Sequence, residues 1–216
     1  MTGRFIVFEG GEGSGKSTQA ALLAEDLDAL LTRQPGGTAI GARLRELLLA
    51  APEAGSGAGE APMAERAEAL LMAADRAQHV AEVLVPTLQS GRDVVCDRYI
   101  PSTLAYQGAG RGLDVDELAR ISGWAADGLQ PDLVVLLVVG ADVSRSRTGG
   151  ARDRIEAAGD EFHRRVAASF VDQAAADPVR WAVIDGEGTI DEVRDRVRHE
   201  VAGRLGPGLP FAGSEP

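Results

Sequence analysis

The chain has 216 residues, of which 44% are hydrophobic and 25% charged. This balance is that of an ordinary globular protein, which excludes disorder as the main state, and the length favours one sizeable core over two small domains. The formal net charge of −11 argues against a surface for duplex nucleic acid, because such surfaces need clustered Lys and Arg. We therefore expect no nucleic acid polymer as a partner.

Cysteine content and apolar runs indicate the compartment. Cys96 is the only cysteine, so it forms no internal disulfide, and its apolar neighbours predict a buried core thiol. The longest apolar run, Leu133 to Val139, is far shorter than the roughly 18 residues of a membrane span. The first four residues lead directly into a predicted strand and leave no room for a signal peptide. We expect a cytoplasmic protein without a membrane partner.

The first predicted strand, Phe5 to Phe8, leads into a glycine-rich turn that fits the pattern G-x-x-x-x-G-K-[ST]. A predicted helix follows to about Leu27, and this strand–turn–helix context is the one that a P-loop requires. In a P-loop, successive backbone N–H groups surround phosphate oxygens at a helix N-terminus. The sequence therefore predicts an ATP-binding turn formed by Gly10, Gly11, Glu12, Gly13, Ser14, Gly15, Lys16, Ser17 and Thr18.

Two side chains of this turn have specific chemical roles in a P-loop. Lys16 reaches the β- and γ-phosphates, and the Ser17 hydroxyl ligates Mg²⁺. Lys16 is also the only lysine of the chain, at a position where the broad planar fork of an arginine would not fit. The alternative is a glycine-rich turn that matches the pattern by chance.

Further along the chain, Pro35 and two glycines end a short apolar run and predict a loop at the carboxyl end of a second strand. Ligands bind at that edge of open α/β sheets. Residues 40–49 show helical spacing, 50–62 are predicted to be a surface loop, and 63–89 form a long helical pattern. Within that pattern, periodicity alone favours a solvated side chain for Arg76.

The third predicted strand, Asp93 to Tyr99, presents an acid at its end. In a P-loop protein such an acid, here Asp97, holds Mg²⁺ or its water, although capping of the next helix is an alternative. Short helical patterns follow at 101–108 and at 114–127. The second pattern places Trp124 on its apolar face, where a core or interface position is predicted.

Residues 133–139 are continuously aliphatic, a pattern typical of a strand buried on both faces of a parallel sheet. The next segment, about 142–156, is rich in arginine and glycine and predicts a mobile lid; a solvated charged loop is the alternative. A helix at 160–177, a strand at 181–185 and a helix at 189–205 complete the pattern. We predict one α/β domain over 1–205 and a disordered tail over 206–216.

Taken together, the motifs resemble the thymidylate kinases. A P-loop alone would indicate only a superfamily, but five signals occur in order along nearly the whole chain. They are the P-loop with Phe8-Glu9-Gly10, the loop Thr32 to Thr38, the segment Ala74 to His79, Asp97-Arg98-Tyr99 with Ser102 and Tyr106-Gln107-Gly108, and Asp153-Arg154-Ile155-Glu156.

The resemblance implies a three-layer nucleoside-monophosphate kinase fold, with a parallel five-stranded sheet and a mobile lid. It also implies transfer of a phosphoryl group from ATP to dTMP with Mg²⁺, giving dTDP and ADP for dTTP biosynthesis. A homodimer formed through helices of the middle region is a further expectation. The bacterial arrangement, in which the lid supplies the catalytic arginine, is matched by Arg147, Arg152 and Arg154.

Individual site residues follow from the same resemblance. Catalytic roles are expected for Lys16, for the P-loop acid Glu12 near the sugar and accepting phosphate, and for Arg98, which would hold the dTMP phosphate. Arg76 would approach the thymine carbonyl. Thr103 and Gln107 would face the other base edge, and Tyr106 would leave no space for a ribose 2′-hydroxyl.

Two departures from the family pattern concern the base. Gln34 stands where the family has an acid, and Met72 stands where it commonly has a phenylalanine stacked on thymine. A kinase of another nucleoside monophosphate or of a deoxynucleoside therefore stays an alternative. A GTPase switch would need an Asn-Lys-x-Asp base reader, and the chain contains no asparagine.

Overall fold

A computed structural model describes residues 2–50, 63–149, 153–206 and 209. Its five strands form one sheet in the order β2-β3-β1-β4-β5, and all four pairings are parallel. The predicted parallel five-stranded sheet is confirmed. The strands are β1 (Phe5–Gly10), β2 (Leu30–Arg33), β3 (Val94–Asp97), β4 (Leu133–Val138) and β5 (Trp181–Asp185).

Helices cover both faces of this sheet. They are α1 (Lys16–Asp26), α2 (Ala39–Leu49), α3 (Glu65–His79), α4 (Val85–Gln89), α5 (Ile100–Thr103), α6 (Val115–Ala125), α7 (Ala141–Arg147), α8 (Asp160–Ala176) and α9 (Ile190–Leu205). Two π-helical segments, Val80–Leu84 and Leu104–Gly110, continue α3 and α5, and a 3₁₀ turn spans Glu156–Ala158. Every helix described is too short or too polar to cross a membrane.

Alternation along β1 divides the hydrophobic core in two. Phe5 and Val7 pack on the face covered by α8 and by the π-helical segments, whereas Ile6 and Phe8 pack on the face covered by α1 and α9. Because β1 and the first five residues of β4 are buried on both sides, their side chains are apolar almost without interruption. The three-layer α/β architecture predicted from the sequence is confirmed.

An ion-pair cluster fixes α1 against α9. Asp26, whose side chain is buried, accepts two hydrogen bonds from Arg194 and two from Arg198, at 2.5 to 3.2 Å. Burial alone would raise the pKa of the Asp26 carboxyl, but the hydrogen bonds from both arginines outweigh it and lower the pKa. Bidentate arginine–carboxylate pairs of this kind fix geometry as well as charge. The helix that begins at the P-loop is therefore held firmly in place.

Three local expectations have clear outcomes. Cys96 is fully buried, and burial raises the pKa of its thiol, so the predicted core cysteine is confirmed. Trp124 is 84% exposed, so the core position is wrong and the interface position stays a prediction. Pro86 falls in the first turn of α4, where a missing N–H costs little, and the long helical pattern continues past it.

The lid and the tail lie partly outside the described residues. The lid prediction covers α7, residues 150–152, which are not described, and the segment from Asp153 onward. Of the tail, Gly206 and Leu209 are described, and Leu209 is buried against the core. Lid movement and a disordered tail stay predictions.

Candidate active site

The turn between β1 and α1 has the backbone that its glycines permit. Gly13 and Gly15 have φ of 70° and 88°, in the left-handed region where a side chain is strained. A Cβ at Gly13 would also lie 2.6 Å from the carbonyl oxygen of Ser144 on α7. These glycines therefore let the turn curl in front of the N-terminus of α1, the geometry that receives phosphate.

Side chains of the P-loop meet the end of β3. The Lys16 ammonium donates to the Gly11 carbonyl at 3.4 Å, and burial, together with Arg98, lowers its pKa. The Ser17 hydroxyl donates to Asp97 Oδ2 at 2.5 Å. Thr18, the last residue of the predicted turn, is exposed in the first turn of α1. The predicted phosphate and Mg²⁺ residues are thus adjacent.

The side chains at the end of β3 carry oxygen ligands of the kind that Mg²⁺ binds. Asp97 Oδ1 is buried and has no hydrogen-bond partner in the part of the chain that the structure describes. A carboxylate oxygen beside a hydroxyl is the kind of ligand set that Mg²⁺ takes when phosphate and water complete its shell. The residues therefore fit the ion. The capping alternative for Asp97 is wrong, because α5 begins at Ile100 and Asp97 does not cap it.

Arg98 joins the P-loop to the neighbouring pocket. Its guanidinium donates to Glu12 Oε1 at 2.7 Å and to the Gly10 carbonyl at 3.3 Å, and it lies 4.9 Å from the centre of the Tyr106 ring. The Tyr106 hydroxyl donates to the same Glu12 oxygen at 3.1 Å. Burial would raise the pKa of Glu12, but the charges of Arg98 and Lys16 outweigh it and lower the pKa. Glu12 is therefore ionised at the point where the P-loop meets the neighbouring pocket.

Glu9 supports this arrangement from within the sheet. It is fully buried and accepts hydrogen bonds from the Tyr99 N–H at 2.9 Å, the Ser102 N–H at 3.2 Å and the Ser102 hydroxyl at 2.6 Å. Ser102 in turn accepts from Arg98 at 3.0 Å. Burial raises the pKa of Glu9 to about 7, although Arg98 opposes the shift. The sequence offered one signal for this role, an acid inside an otherwise apolar strand.

Most of the predicted site residues line one cleft, whose volume is about 190 Å³. The predicted residues that line it are Glu12, Lys16, Ser17, Met72, Arg76, Asp97, Arg98, Thr103, Tyr106 and Gln107. Arg33 and Arg45 also line the cleft and were missed, because helical spacing shows Arg45 only as a polar position of α2. The position of Arg33 at the carboxyl end of β2 was the available signal.

Arg76 is buried inside the acceptor side of the cleft. Its guanidinium donates to Gln34 Oε1 at 3.1 Å, to Ser122 Oγ at 3.2 Å and to Thr103 Oγ1 at 2.9 Å, and its exposed fraction is 2%. The solvated side chain that periodicity favoured is therefore wrong. Arg76 lines the cleft, and its contact with a base stays a prediction from the family resemblance.

Gln34 connects Arg76 to a buried histidine. Because a guanidinium can only donate, Gln34 Oε1 accepts from Arg76, and the Gln34 amide N–H donates to His79 Nδ1 at 2.9 Å. The imidazole proton then lies on Nε2 and is donated to Thr32 Oγ1 at 2.7 Å. Burial, followed by the charge of Arg76, lowers the pKa of His79 to about 4. The neutral amide of Gln34 is thus hydrogen-bonded to a neutral imidazole at His79.

The lid arginines lie in different places. Arg147 on α7 donates to the carbonyl oxygens of Gly13, Gly186 and Gly188 at 2.9 to 3.5 Å, beside the P-loop. Arg154 lies away from the P-loop and pairs with the buried Glu68 at 2.7 Å. Arg152 lies outside the described residues. Of the two lid arginines that the structure describes, Arg147 is the one that contacts the phosphate-binding turn.

A P-loop at the end of a central strand, opening into a cleft that is also lined by cations, defines the class to which the protein belongs: the P-loop nucleoside-monophosphate kinases. Residues 8–197 match the family model described as Thymidylate kinase. A thymidylate kinase from Cutibacterium acnes is 48% identical over 213 residues, 95% of this chain and 99% of the relative. Another, from Leifsonia xyli subsp. xyli, is 47% identical, covering 94% of this chain and 96% of the relative.

The solved structures agree. The crystal structure of thymidylate kinase from Ehrlichia chaffeensis matches with a TM-score of 0.73 and 31% sequence identity, covering 93% of this chain and 99% of that one. The chain belongs to the thymidylate kinase family.

The depressed pKa of His79 predicts a pH dependence of stability. Its folded value of about 4 lies below its ordinary value of 6.5, so the unfolded chain binds the proton first as the pH falls. The stabilisation is complete above about pH 6.5 and is lost toward about pH 4, by up to about 3 kcal/mol. Urea unfolding across this range should therefore show a smaller acid-induced loss for His79→Gln than for the wild-type protein.

The comparison between variants is needed because Glu9, with its raised pKa, stabilises the folded state as the pH falls through the same range. His199→Gln, at an exposed histidine of α9, is the matched control. Parallel stability profiles for His79→Gln and the wild type would contradict the prediction.

Proposed function

We propose that the protein transfers the γ-phosphoryl group of ATP to dTMP, giving dTDP and ADP. The observation that carries the proposal is the contact of Arg98 with Glu12, which joins the P-loop to the remainder of the cleft, where Arg33, Arg45 and Arg76 also lie. Membership of the thymidylate kinase family supports dTMP as the acceptor.

For the donor, the P-loop N–H groups and Lys16 bind the ATP phosphates, and Ser17 with Asp97 hold Mg²⁺. When bound, Mg²⁺ neutralises charge on the β- and γ-phosphates. Lys16 and Arg98 bring fixed cations to the oxygens on which charge spreads in a loose transition state. No covalent nucleophile is required, so these residues act by positioning and by charge.

For the acceptor, Arg98 receives the dTMP phosphate, and the newly found Arg33 and Arg45 add positive charge along the same cleft. Tyr106, fixed against Glu12 and Arg98, packs beside the sugar and excludes a 2′-hydroxyl. Arg76, Thr103 and Gln107 face the base, and Met72 covers it through a polarisable thioether. A base contacted by methionine is held less specifically than one stacked on an aromatic ring.

Among the lid arginines, we assign the catalytic role to Arg147. Its guanidinium lies beside Gly13 and within contact distance of the space in front of Gly15. Ser144 on the same helix donates to the Glu12 carbonyl at 2.8 Å, so α7 is joined to the P-loop at two points. An arginine that moves a short distance from carbonyl oxygens onto phosphate would stabilise charge and exclude water.

Acceptor choice is tested with a panel of nucleoside monophosphates and deoxynucleosides in an ADP-release assay. We expect the highest kcat/KM for dTMP, and another acceptor ranking first would assign the enzyme to the rival substrate.

For Lys16→Ala, we expect a loss of about 10² to 10³ in kcat, because one fixed charge at the transferred group is removed. Unchanged turnover of Lys16→Ala would contradict the P-loop assignment.

The role of Arg147 is tested by steady-state kinetics of Arg147→Ala. We expect kcat to fall by about 10³, as for removal of an arginine finger, with little change in the KM for dTMP. The matched control is Arg145→Ala, because Arg145 lies on the same helix but pairs with the exposed Asp142. A kcat near the wild-type value would refute the assignment.

We further propose a homodimer formed through α2, α3 and α6. These helices pack side by side and expose Leu47, Leu70 and Trp124, which are 57 to 84% accessible. Light scattering after gel filtration should give twice the chain mass of 22.5 kDa. Trp124→Glu should yield the monomer, whereas Val179→Glu, at an equally exposed residue beside β5, should not. A wild-type monomer, or a dimer that persists in Trp124→Glu, would contradict the proposal.

A further inference from the structure

Glu68 on α3 is a buried carboxylate with partners from three separate segments. Its side chain is 1% exposed. Oε1 accepts a hydrogen bond from Gln107 Nε2 at 2.7 Å, and Oε2 lies 2.7 Å from Arg154 Nη2 and 3.3 Å from Arg111 Nη2. Glu68 itself does not line the cleft, but Gln107 does. The carboxylate therefore lies behind the acceptor pocket and can act on it only through its partners.

The charge of Glu68 determines how Gln107 faces the cleft. A carboxylate can only accept, so the amide nitrogen of Gln107 must point toward it. The amide group is consequently held with its nitrogen inward, and the carbonyl oxygen is left for other partners. A donor on an acceptor nucleotide can use that oxygen. Without the charge of Glu68, the amide would be free to turn.

The second oxygen of Glu68 anchors Arg154. Arg154 also donates through Nε and Nη2 to the carbonyl of Leu48, at 3.1 and 3.0 Å, near the end of α2. The next residue, Ile155, is buried and lines the cleft. The anchor thus fixes the position of the chain where Ile155 enters the core and the wall of the cleft.

Arg111 extends the cluster toward the sugar side of the pocket. Its guanidinium lies 4.9 Å from the centre of the Phe162 ring, and Phe162 lies 6.0 Å from Tyr106. Two arginines around one buried carboxylate leave no uncompensated negative charge, which makes the burial of Glu68 tolerable. The same arrangement makes the cluster sensitive to loss of any one member.

We propose that Glu68 is a positioning residue for the acceptor nucleotide, orienting Gln107 through one oxygen and holding Arg154 through the other. Arg154 then serves acceptor binding, not the catalytic role that the sequence suggested. The assignment rests on the proposed function, since dTMP is taken as the acceptor. It accounts for an arginine of the lid region that lies away from the P-loop.

The test uses Glu68→Gln, Arg154→Gln and the double variant, with dTMP binding measured by calorimetry in the absence of ATP and kcat and KM measured separately. Each single variant should weaken dTMP binding about 10-fold to 100-fold, because Glu68→Gln weakens the hydrogen bond that orients Gln107 and Arg154→Gln removes the ion pair with Glu68. The double variant should bind about as weakly as Glu68→Gln alone, because that variant has already lost the contact with Arg154. The KM for ATP should stay unchanged.

The matched control is the exposed pair Glu161 and Arg164, whose two Gln variants should leave dTMP binding as in the wild type. Urea unfolding verifies that each variant folds, and Arg154→Gln, at a partly exposed residue, provides the test if Glu68→Gln does not fold.

Three results would overturn the assignment in distinguishable ways. A wild-type protein that does not bind dTMP would remove the proposed acceptor, and this assignment with it. Normal dTMP binding by Glu68→Gln beside a binding wild type would refute the positioning role alone. A fall in kcat for Arg154→Gln without weaker dTMP binding would restore Arg154 as the catalytic arginine.

Discussion

The ion pair between Arg98 and Glu12 is the contact on which the whole cleft depends. Glu12 belongs to the turn after β1, Arg98 follows β3, and the parallel register that sets Phe8 beside Asp97 brings the two side chains together. Arg98 has φ of 71°, a left-handed backbone that costs energy in a residue other than glycine. Glu9 offsets that cost by holding the following turn through three hydrogen bonds. The backbone geometry therefore fixes the position of the P-loop relative to the rest of the cleft before any nucleotide binds.

The sequence was sufficient for the sheet and the phosphate-binding turn, because both depend on local patterns. A continuous aliphatic run such as 133–139 can be buried only between two helical layers, and the spacing of glycines before Lys16 has few other uses. The family motifs also named residues that the fold brings together, as Arg98, Tyr106 and Gln107 all line the cleft. Their roles came from resemblance, since spacing alone carries no information about a base or a sugar.

Buried charge was the part that the sequence could not reveal. Periodicity treats a charged residue as a solvated one, so it misread Arg76 and gave no role to Glu68, Arg45 or Glu9. Each is buried or lines the cleft because it finds hydrogen-bond or ion-pair partners in other segments, and those contacts exist only after folding. At Trp124 the core position was wrong, because the side chain is exposed on this chain. Whether a side chain is covered depends on neighbouring helices, or on another chain, and not on its own helix.

The use of a single lysine has a consequence for chemical probing of the protein. Every other side-chain cation is a guanidinium, so reagents that acylate lysine amines have one side-chain target, and that target is 7% exposed inside the P-loop. Modification of this side chain would therefore report directly on access to the phosphate-binding turn, without background from other lysines. Because Lys16 is the only lysine, the outer surface has no lysine side chain to which amine-directed crosslinkers or fluorophores could attach.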